Sequence, residues 1–146
     1  MNHLAVVHRR YLDLILTGEK TVESRLSKVR CAPYGRIEPG DRIYFKESSG
    51  PVRASVVAKQ IEHHENLTPT LVRSLKHRHN ELVLGNADYW RLKSSARYAV
   101  LIWFAQVRPV ADWPSKPALN GRGWLCLAPG DVTRHRRKCV RRSCET

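Results

Sequence analysis

The sequence predicts an α+β domain, a small mixed β-barrel flanked by helices. Segments with the alternating period of a strand interchange with segments that carry apolar residues at helical spacing. Two consecutive strand segments meet through the turn residues 48–51, as in a hairpin. A dinucleotide-binding fold is excluded because the G-x-G-x-x-G pattern and a regular strand–helix alternation are both missing.

A short helix between two strands is predicted near the N-terminus. Residues 2–8 are apolar and short, as in a strand, and residues 9–17 place apolar side chains at helical spacing. Gly18 stands where a glycine commonly ends a helix. Residues 20–26 then alternate with the period of a strand, so the side chain of Glu23 shares one face with the other odd-numbered residues.

A hairpin, two helices and two strands complete the predicted barrel. The hairpin strands are residues 41–46 and 52–61. Thr68 is a helix cap and Pro69 occupies the first position of a helix that runs to about residue 84. The remaining predicted elements are a helix at residues 87–93 and strands at residues 98–110 and 123–127.

Length and composition indicate one folded domain. A chain of 146 residues with 42% hydrophobic residues can bury a core without cross-links. No apolar run approaches the length of a membrane-spanning helix, and residues 1–11 lack the pattern of a signal peptide. We therefore expect a soluble cytoplasmic protein that makes no membrane contact.

The charge of the chain points to an anionic partner. Lys and Arg number 26 against 13 Asp and Glu, for a formal net charge of +13. Residues 130–146 hold six Lys or Arg and two acidic residues, which leaves +9 on residues 1–129. We expect residues 1–129 to form the domain, residues 130–146 a disordered basic tail, and RNA or a nucleotide to be the partner. A protein-interaction domain with incidental charge is the alternative.

Metal and cofactor sites are not predicted. The four cysteines lack the close pairing of a zinc site, and we expect reduced thiols. The adjacent His63 and His64 would point apart on a strand, and His77 and His79 diverge on a helix. Neither a glycine-rich phosphate loop nor a G-x-S-x-G elbow is present, so we expect no cofactor.

The densest group of polar residues follows the first predicted helix. Lys20 lies where the helix end meets a strand edge and a cleft can form, and Glu23 and Arg25 point the same way from the strand. A cation, a carboxylate and a guanidinium together can bind a base edge and its phosphate, or supply acid–base chemistry with charge stabilisation. A surface salt-bridge cluster is the alternative interpretation.

This segment resembles the signature of a known domain family. Gly18-x-Lys20-x-x-Glu23-x-Arg25 is similar to the G-x-K-x-x-E-x-R motif of the ASCH domain, a PUA-like barrel related to the YTH and EVE domains. The similarity extends over about residues 2–128 and includes Pro33-Tyr34-Gly35, Gly40-Asp41, Phe45-Lys46 and Gly123-Trp124. The resemblance implies a PUA-like barrel with a cleft beside the motif, and a role with RNA or modified nucleosides.

The resemblance also implies two hydrolytic activities. Some ASCH relatives hydrolyse N4-acetylcytidine with a lysine, a threonine and a later glutamate, and others are similar to ribonucleases. Lys20 matches the lysine, Glu23 stands at the position of the threonine, and Glu81 is the candidate for the later glutamate. In RNA cleavage, Glu23 would take the 2′-hydroxyl proton while Lys20 and Arg25 stabilise the phosphorane, or Lys20 would be the base.

Binding without catalysis requires fewer groups. Lys20 would line the cleft, Arg25 and Lys46 would contact phosphate, and Glu23 would accept a hydrogen bond from an exocyclic amine. An RNA- or nucleotide-binding module is the leading hypothesis, and a hydrolase of RNA or of a modified nucleoside is the alternative. The sequence leaves the oligomeric state open.

Aromatic residues supply the stacking candidates. Tyr34 lies in a turn near the motif and Trp90 in a polar helix, so these two are the preferred pocket aromatics. Trp103 and Trp124 lie in or beside apolar strand segments and are expected in the core.

Overall fold

The fold is built on one six-stranded sheet. The computed structural model describes residues 1–111, 113 and 119–128. The expected basic tail, residues 130–146, and the end of the domain at residue 129 lie outside the described residues. The elements in chain order are β1 (Asn2–Val7), α1 (Arg9–Thr17), β2 (Val22–Ser27), β3 (Arg42–Glu47), β4 (Val52–His64), α2 (Pro69–Val83), α3 (Ala87–Leu92), β5 (Tyr98–Pro109) and β6 (Trp124–Leu127).

The sheet curls into a half-barrel with the strand order β2-β5-β4-β3-β1-β6. β1 and β3 are parallel, and every other neighbouring pair is antiparallel. β4 pairs with both β3 and β5, and its register against β5 shifts between Ser55 and Val57 and again between Ala58 and Gln60. Such irregularities bend a strand and increase its twist, which favours curling. The predicted α+β fold, a small mixed barrel flanked by helices, is confirmed.

Two apolar clusters hold the helices against the sheet. α1 packs Leu12 and Ile15 against Phe45 and its neighbours, as the helical spacing predicted. α2 and α3 pack on β2 and β5 through a second cluster that includes Leu75. Each fully buried aliphatic side chain contributes roughly 1.5–3 kcal/mol, so all three helices are held mainly by this packing.

Local sequence signals end and begin the helices as expected. Gly18 ends α1 with a φ of +83°, and its N–H donates to Ile15 O at 3.1 Å. The Thr68 hydroxyl accepts a hydrogen bond from the Leu71 N–H, and Pro69 is the first residue of α2. β4 extends beyond the predicted residue 61 to His64 because its last residues pair with β5. No described helix is long and apolar enough to cross a membrane.

Candidate functional site

Lys20, Glu23 and Arg25 form one charge cluster at β2. Glu23 Oε1 lies 3.6 Å from Lys20 Nζ, and Glu23 Oε2 lies 3.1 Å from Arg25 Nη2. Lys20 is 2% exposed and Glu23 is 5% exposed. The Lys20–Glu23 pair is therefore not a solvated salt bridge on an open surface, whereas the Arg25 side chain is partly exposed.

The environment of Glu23 favours its ionised form. Burial acts to raise the pKa of the Glu23 carboxyl, but the charges of Arg25 and Lys20 act to lower it. Hydrogen bonds from Arg25 and from the Ser24 N–H, the latter at 3.0 Å, act in the same direction. The net result is a pKa below the usual value, so Glu23 is a carboxylate at neutral pH.

Lys20 joins the start of β2 to the end of α2. Its ammonium donates hydrogen bonds to the backbone carbonyls of Val22 and Val83 and also faces the Glu23 carboxylate. Burial lowers the pKa of Lys20, Glu23 raises it, and Arg25 lowers it further. The three donors of the ammonium are directed at protein acceptors, so Lys20 supplies charge from behind Glu23.

Arg25 bridges the two ends of the curled sheet. β2 and β6 are the terminal strands in the sheet order. Arg25 donates from Nη2 to Val6 O at 2.8 Å and from Nη1 to Gly123 O at 3.3 Å. Its guanidinium also lies 5.2 Å from the centre of the Trp124 ring. One side chain thus links β2 to β1 and to the residue that precedes β6.

Side chains form hydrogen bonds with backbone carbonyls on the unpaired edge of β2. The carbonyls of three alternate residues of β2 accept hydrogen bonds from side chains. Lys20 Nζ donates to Val22 O. Tyr89 Oη donates to Ser24 O, and Lys93 Nζ donates to Leu26 O. An unpaired strand edge otherwise exposes its backbone polar groups. α3 is therefore docked along this edge by Tyr89 and Lys93.

A cavity of about 490 Å³ lies beside β2. This volume is in the range of small-molecule sites. Glu23, Arg25 and Tyr34, three of the candidate site residues, line it. Further lining residues that the sequence analysis did not select are Tyr11, Cys31, Tyr89, Lys93, Tyr98 and Trp124. The cavity combines aromatic walls with one carboxylate and two cations.

Trp90 and Lys46 lie elsewhere, which corrects the expectation for both. Trp90 is 4% exposed within the apolar cluster of α2 and α3, and its Nε1 donates to Asn80 Oδ1 at 2.9 Å. Lys46 Nζ donates to Glu47 O at 3.1 Å on β3. Glu81 is exposed on α2 and does not line the cavity either. Helical geometry explains why Trp90 is in the core: its neighbour Tyr89 occupies the face of α3 that is directed at β2, so Trp90 lies on another face.

The spacing of Tyr89 and Lys93 is the signal that could have indicated the α3 wall. Residues four apart share one face of a helix, so these two side chains reach the same surface. Tyr11 carried no comparable signal, because it is one of several apolar residues at helical spacing in α1. Its place at the cavity follows from how α1 packs on the sheet.

A buried histidine holds the Trp124 ring. Trp124 Nε1 donates to His3 Nδ1 at 3.1 Å, and His3 Nε2 lies 2.8 Å from Asp41 Oδ2. Burial lowers the pKa of His3, although the hydrogen bond and charge of Asp41 raise it. The neutral ring therefore accepts at Nδ1 and donates from Nε2 to Asp41. Trp124 is buried as expected and also lines the cavity.

Metal-binding groups are not assembled in the described residues. Nowhere in residues 1–111, 113 and 119–128 do three His, Cys, Asp or Glu side chains come together in a way that could hold an ion.

Comparison with solved structures identifies the fold. No protein-family model matches the sequence, and no curated protein matches it. The crystal structure of ASCH from Zymomonas mobilis is similar with a TM-score of 0.64 at 15% identity, over 92% of each chain. Two point variants of that protein give TM-scores of 0.63 at 14% and 15% identity, over 88% of this chain and 91% and 89% of theirs. The chain therefore has an ASCH-like fold.

Proposed function

We propose that the chain binds RNA or a nucleotide in the cavity beside β2. The observation that carries this proposal is the combination of an ionised carboxylate, Glu23, with the cations Arg25 and Lys93 and five tyrosine and tryptophan rings in one cavity. Each group matches one part of a nucleotide, since bases stack on aromatic rings, base-edge N–H groups donate to carboxylates, and cations attract phosphate.

The position of each group suggests how a ligand would bind. Tyr34 lines the cavity and is only partly buried, which leaves ring surface for a base. Glu23 accepts hydrogen bonds from the Ser24 N–H and from Arg25, and a carboxylate has acceptor sites beyond these two. Glu23 would accept from an exocyclic amine or ring N–H of the base.

The charge around the cavity supports an anionic ligand. Four exposed cations are sequence neighbours of the lining residues His8, Tyr11, Ser27 and Cys31; they are Arg9, Arg10, Lys28 and Arg30. The chain as a whole carries a formal charge of +13. Such a field attracts polyanions and accelerates their association. The resemblance to the ASCH domain, which implies a role with RNA or modified nucleosides, agrees with this proposal.

A hydrolase of RNA or of an acylated nucleoside is the second candidate. The observation that favours it is Glu23, a carboxylate that lines the cavity and is ionised, as a general base must be. Lys20 would then act by its charge, because its buried ammonium is directed at Val22 O, Val83 O and Glu23. We place either activity in the cytoplasm, where RNA is abundant and thiols such as Cys31 stay reduced.

Salt dependence and one aromatic variant test the binding proposal. For a single-stranded RNA nonamer, we expect the logarithm of the affinity to fall with the logarithm of salt at about −0.7 per phosphate contact. Tyr34→Ala should weaken binding by about 1–3 kcal/mol if a base stacks on Tyr34. Tyr44→Ala is the matched control, because Tyr44 is also partly buried but packs on Trp113 outside the cavity. A flat salt response, with equal affinities for both variants, contradicts the proposal.

Mass spectrometry distinguishes binding from hydrolysis. The protein is incubated with the same nonamer and, separately, with N4-acetylcytidine. Intact substrates support a binding module. Product that disappears in a folded Glu23→Gln variant supports the hydrolase and gives its reaction class. Product that persists in this variant removes Glu23 from the mechanism.

A further inference from the structure

Lys93 is a cavity cation outside the ASCH-like motif. It follows the last residue of α3 and lines the cavity opposite β2. Its side chain is partly buried, and its Nζ donates to Leu26 O at 3.2 Å. The Tyr89 ring lies 5.9 Å from the same nitrogen. The ammonium is thus held at a defined place by one hydrogen bond and one ring.

The number of protein acceptors separates Lys93 from the other two cations. An ammonium has three donors, and among the described residues that of Lys93 has one hydrogen-bond acceptor, Leu26 O. Lys20 faces three acceptors, and Arg25 bonds to Val6 O, Gly123 O and Glu23. Lys93 therefore has two donors left for a ligand and Lys20 has none, whereas Arg25, with five donors, has two left but is held in place by three partners.

The charge balance of the cavity leaves a place for an anion. Lys20, Arg25 and Lys93 are three cations in or behind its wall, and Glu23 is the one carboxylate among the described residues that line it. Burial and the nearby charge of Arg25 lower the pKa of Lys93, while Cys31 acts to raise it. Both lowering effects disfavour the charged ammonium in the empty cavity, and a bound anion would offset them.

The distance along β2 matches a mononucleotide. Lys93 is bonded at Leu26, and Glu23 lies three residues earlier on the same strand. A strand rises about 3.3 Å per residue, so the two positions are roughly 10 Å apart along β2. A nucleotide spans a comparable length from the base edge to the 5′-phosphate.

We propose that Lys93 binds the phosphate of a nucleotide whose base edge is bound by Glu23. This inference rests on the proposed function and adds to it the orientation of the ligand and its phosphate-binding residue. The phosphate would lie at the α3 end of the cavity, beside Leu26, and the edge of the base would lie at Glu23.

Affinities for nucleosides and nucleotides test this inference. The probes are the four nucleosides and their four 5′-monophosphates, titrated against the full chain by calorimetry. We expect the wild-type protein to prefer a monophosphate over its nucleoside. Lys93→Gln should weaken monophosphate binding roughly ten- to a hundredfold and leave nucleoside binding unchanged, because a hydrogen bond to a charged group is lost.

Two further variants serve as controls. Lys59→Gln removes the same charge from an exposed position of β4 outside the cavity and should keep the wild-type preference. Lys93→Arg keeps the charge and should retain most of the preference for the monophosphate. The Lys93→Gln variant still has an N–H that can donate to Leu26 O. The thermal unfolding of each variant is measured as well, to compare the stabilities of the variants.

The outcomes separate the inference from the proposed function. If the wild-type protein binds nucleosides and monophosphates equally, or if Lys93→Gln keeps the preference, the role of Lys93 is overturned while cavity binding stands. If the wild-type protein binds none of the eight probes, nucleotide binding in the cavity is contradicted, and the role of Lys93 with it.

Discussion

Glu23 illustrates how one residue can be both a structural counter-ion and a ligand-binding group. It lies between Lys20 and Arg25, and its carboxylate also lines the cavity. Removing one member of a buried charge cluster leaves the others unpaired, which costs more than losing an exposed ion pair. Stability and binding therefore depend on the same side chain.

Glu23→Gln should lower the free energy of unfolding at pH 7 by about 3 kcal/mol, because the buried Lys20 and the partly buried Arg25 lose their counter-charge. The Glu23 pKa is below its usual 4.5 in the folded state, so the unfolded state binds more protons in the range just below 4.5. The contribution of Glu23 is thus complete above pH 4.5 and is lost as the pH falls through the folded pKa.

Urea unfolding at several pH values measures this effect. Below pH 4.5, the free energy of unfolding of the Glu23→Gln variant should fall less with decreasing pH than that of the wild-type protein, because position 23 no longer takes up a proton. Asp88→Asn is the control, since the Asp88–Arg91 pair is exposed and should change stability little. Equal stabilities of the Glu23→Gln variant and the wild-type protein at pH 7 contradict the prediction.

At the scale of elements, the junction between α2 and α3 positions one wall of the cavity. Asn80 Oδ1 accepts from the Gly85 N–H at 2.8 Å and from Trp90 Nε1 at 2.9 Å, and its Nδ2 donates to Gly85 O at 3.0 Å. One side chain thus fixes the turn and the first residues of α3. Tyr89 and Lys93 reach β2 from that helix.

Asn80→Ala should destabilise the fold by about 2–3 kcal/mol, because it removes three hydrogen bonds and leaves partly buried polar groups unsatisfied. It should also weaken RNA binding, because α3 would lose its fixed position. Asn86→Ala is the comparison, since Asn86 caps α3 by accepting from the Tyr89 N–H and its loss should cost about 1 kcal/mol. Chemical denaturation and RNA titration of both variants measure the difference, and an equal cost for the two contradicts the prediction.

At the scale of the whole molecule, the curled sheet is open, and Arg25 connects its two ends. The hydrogen bonds from Arg25 to Val6 O and Gly123 O link β2, at one end of the sheet order, to β1 and to the residue that precedes β6 at the other end. A planar guanidinium can reach several acceptors at once, which an ammonium cannot do in the same geometry.

Arg25→Lys should therefore keep the charge beside Glu23 but loosen the contact between β2 and β6. We expect a loss of about 1–2 kcal/mol in the free energy of unfolding. Faster hydrogen exchange should appear at the Val6 N–H, which donates to Gly123 O at 2.9 Å. Arg73→Lys, on the exposed face of α2, is the control. Unchanged exchange at Val6 in the Arg25→Lys variant contradicts the prediction.

Much of the fold was predictable because its signals are local. Gly18 ends α1, Thr68 and Pro69 begin α2, and the alternation in β2 places Glu23 and Arg25 on one face. Each of these features depends on the backbone geometry of a few consecutive residues, so the residue types in that short segment are enough to predict it. The motif around Lys20 also predicted the ASCH-like fold.

The composition of the cavity was less predictable because it depends on which faces pack inward. Trp90 and Tyr89 are adjacent in sequence, yet one is in the core and the other lines the cavity. Lys46 was expected to contact phosphate but bonds to Glu47 O on β3, whereas Lys93, the residue that follows α3, bonds to Leu26 O of β2.

The sequence by itself determined the order of the elements, the end of α1, the start of α2 and the grouping of Lys20, Glu23 and Arg25. Only the tertiary structure decided that Lys20, expected to line the cleft, bonds to Val22 O and Val83 O and does not line the cavity, that Arg25 bridges the sheet, and that α3 brings Tyr89 and Lys93 to β2. The physical reason is distance along the chain. Caps and strand faces are set by neighbouring residues, whereas the cavity assembles from segments more than sixty residues apart.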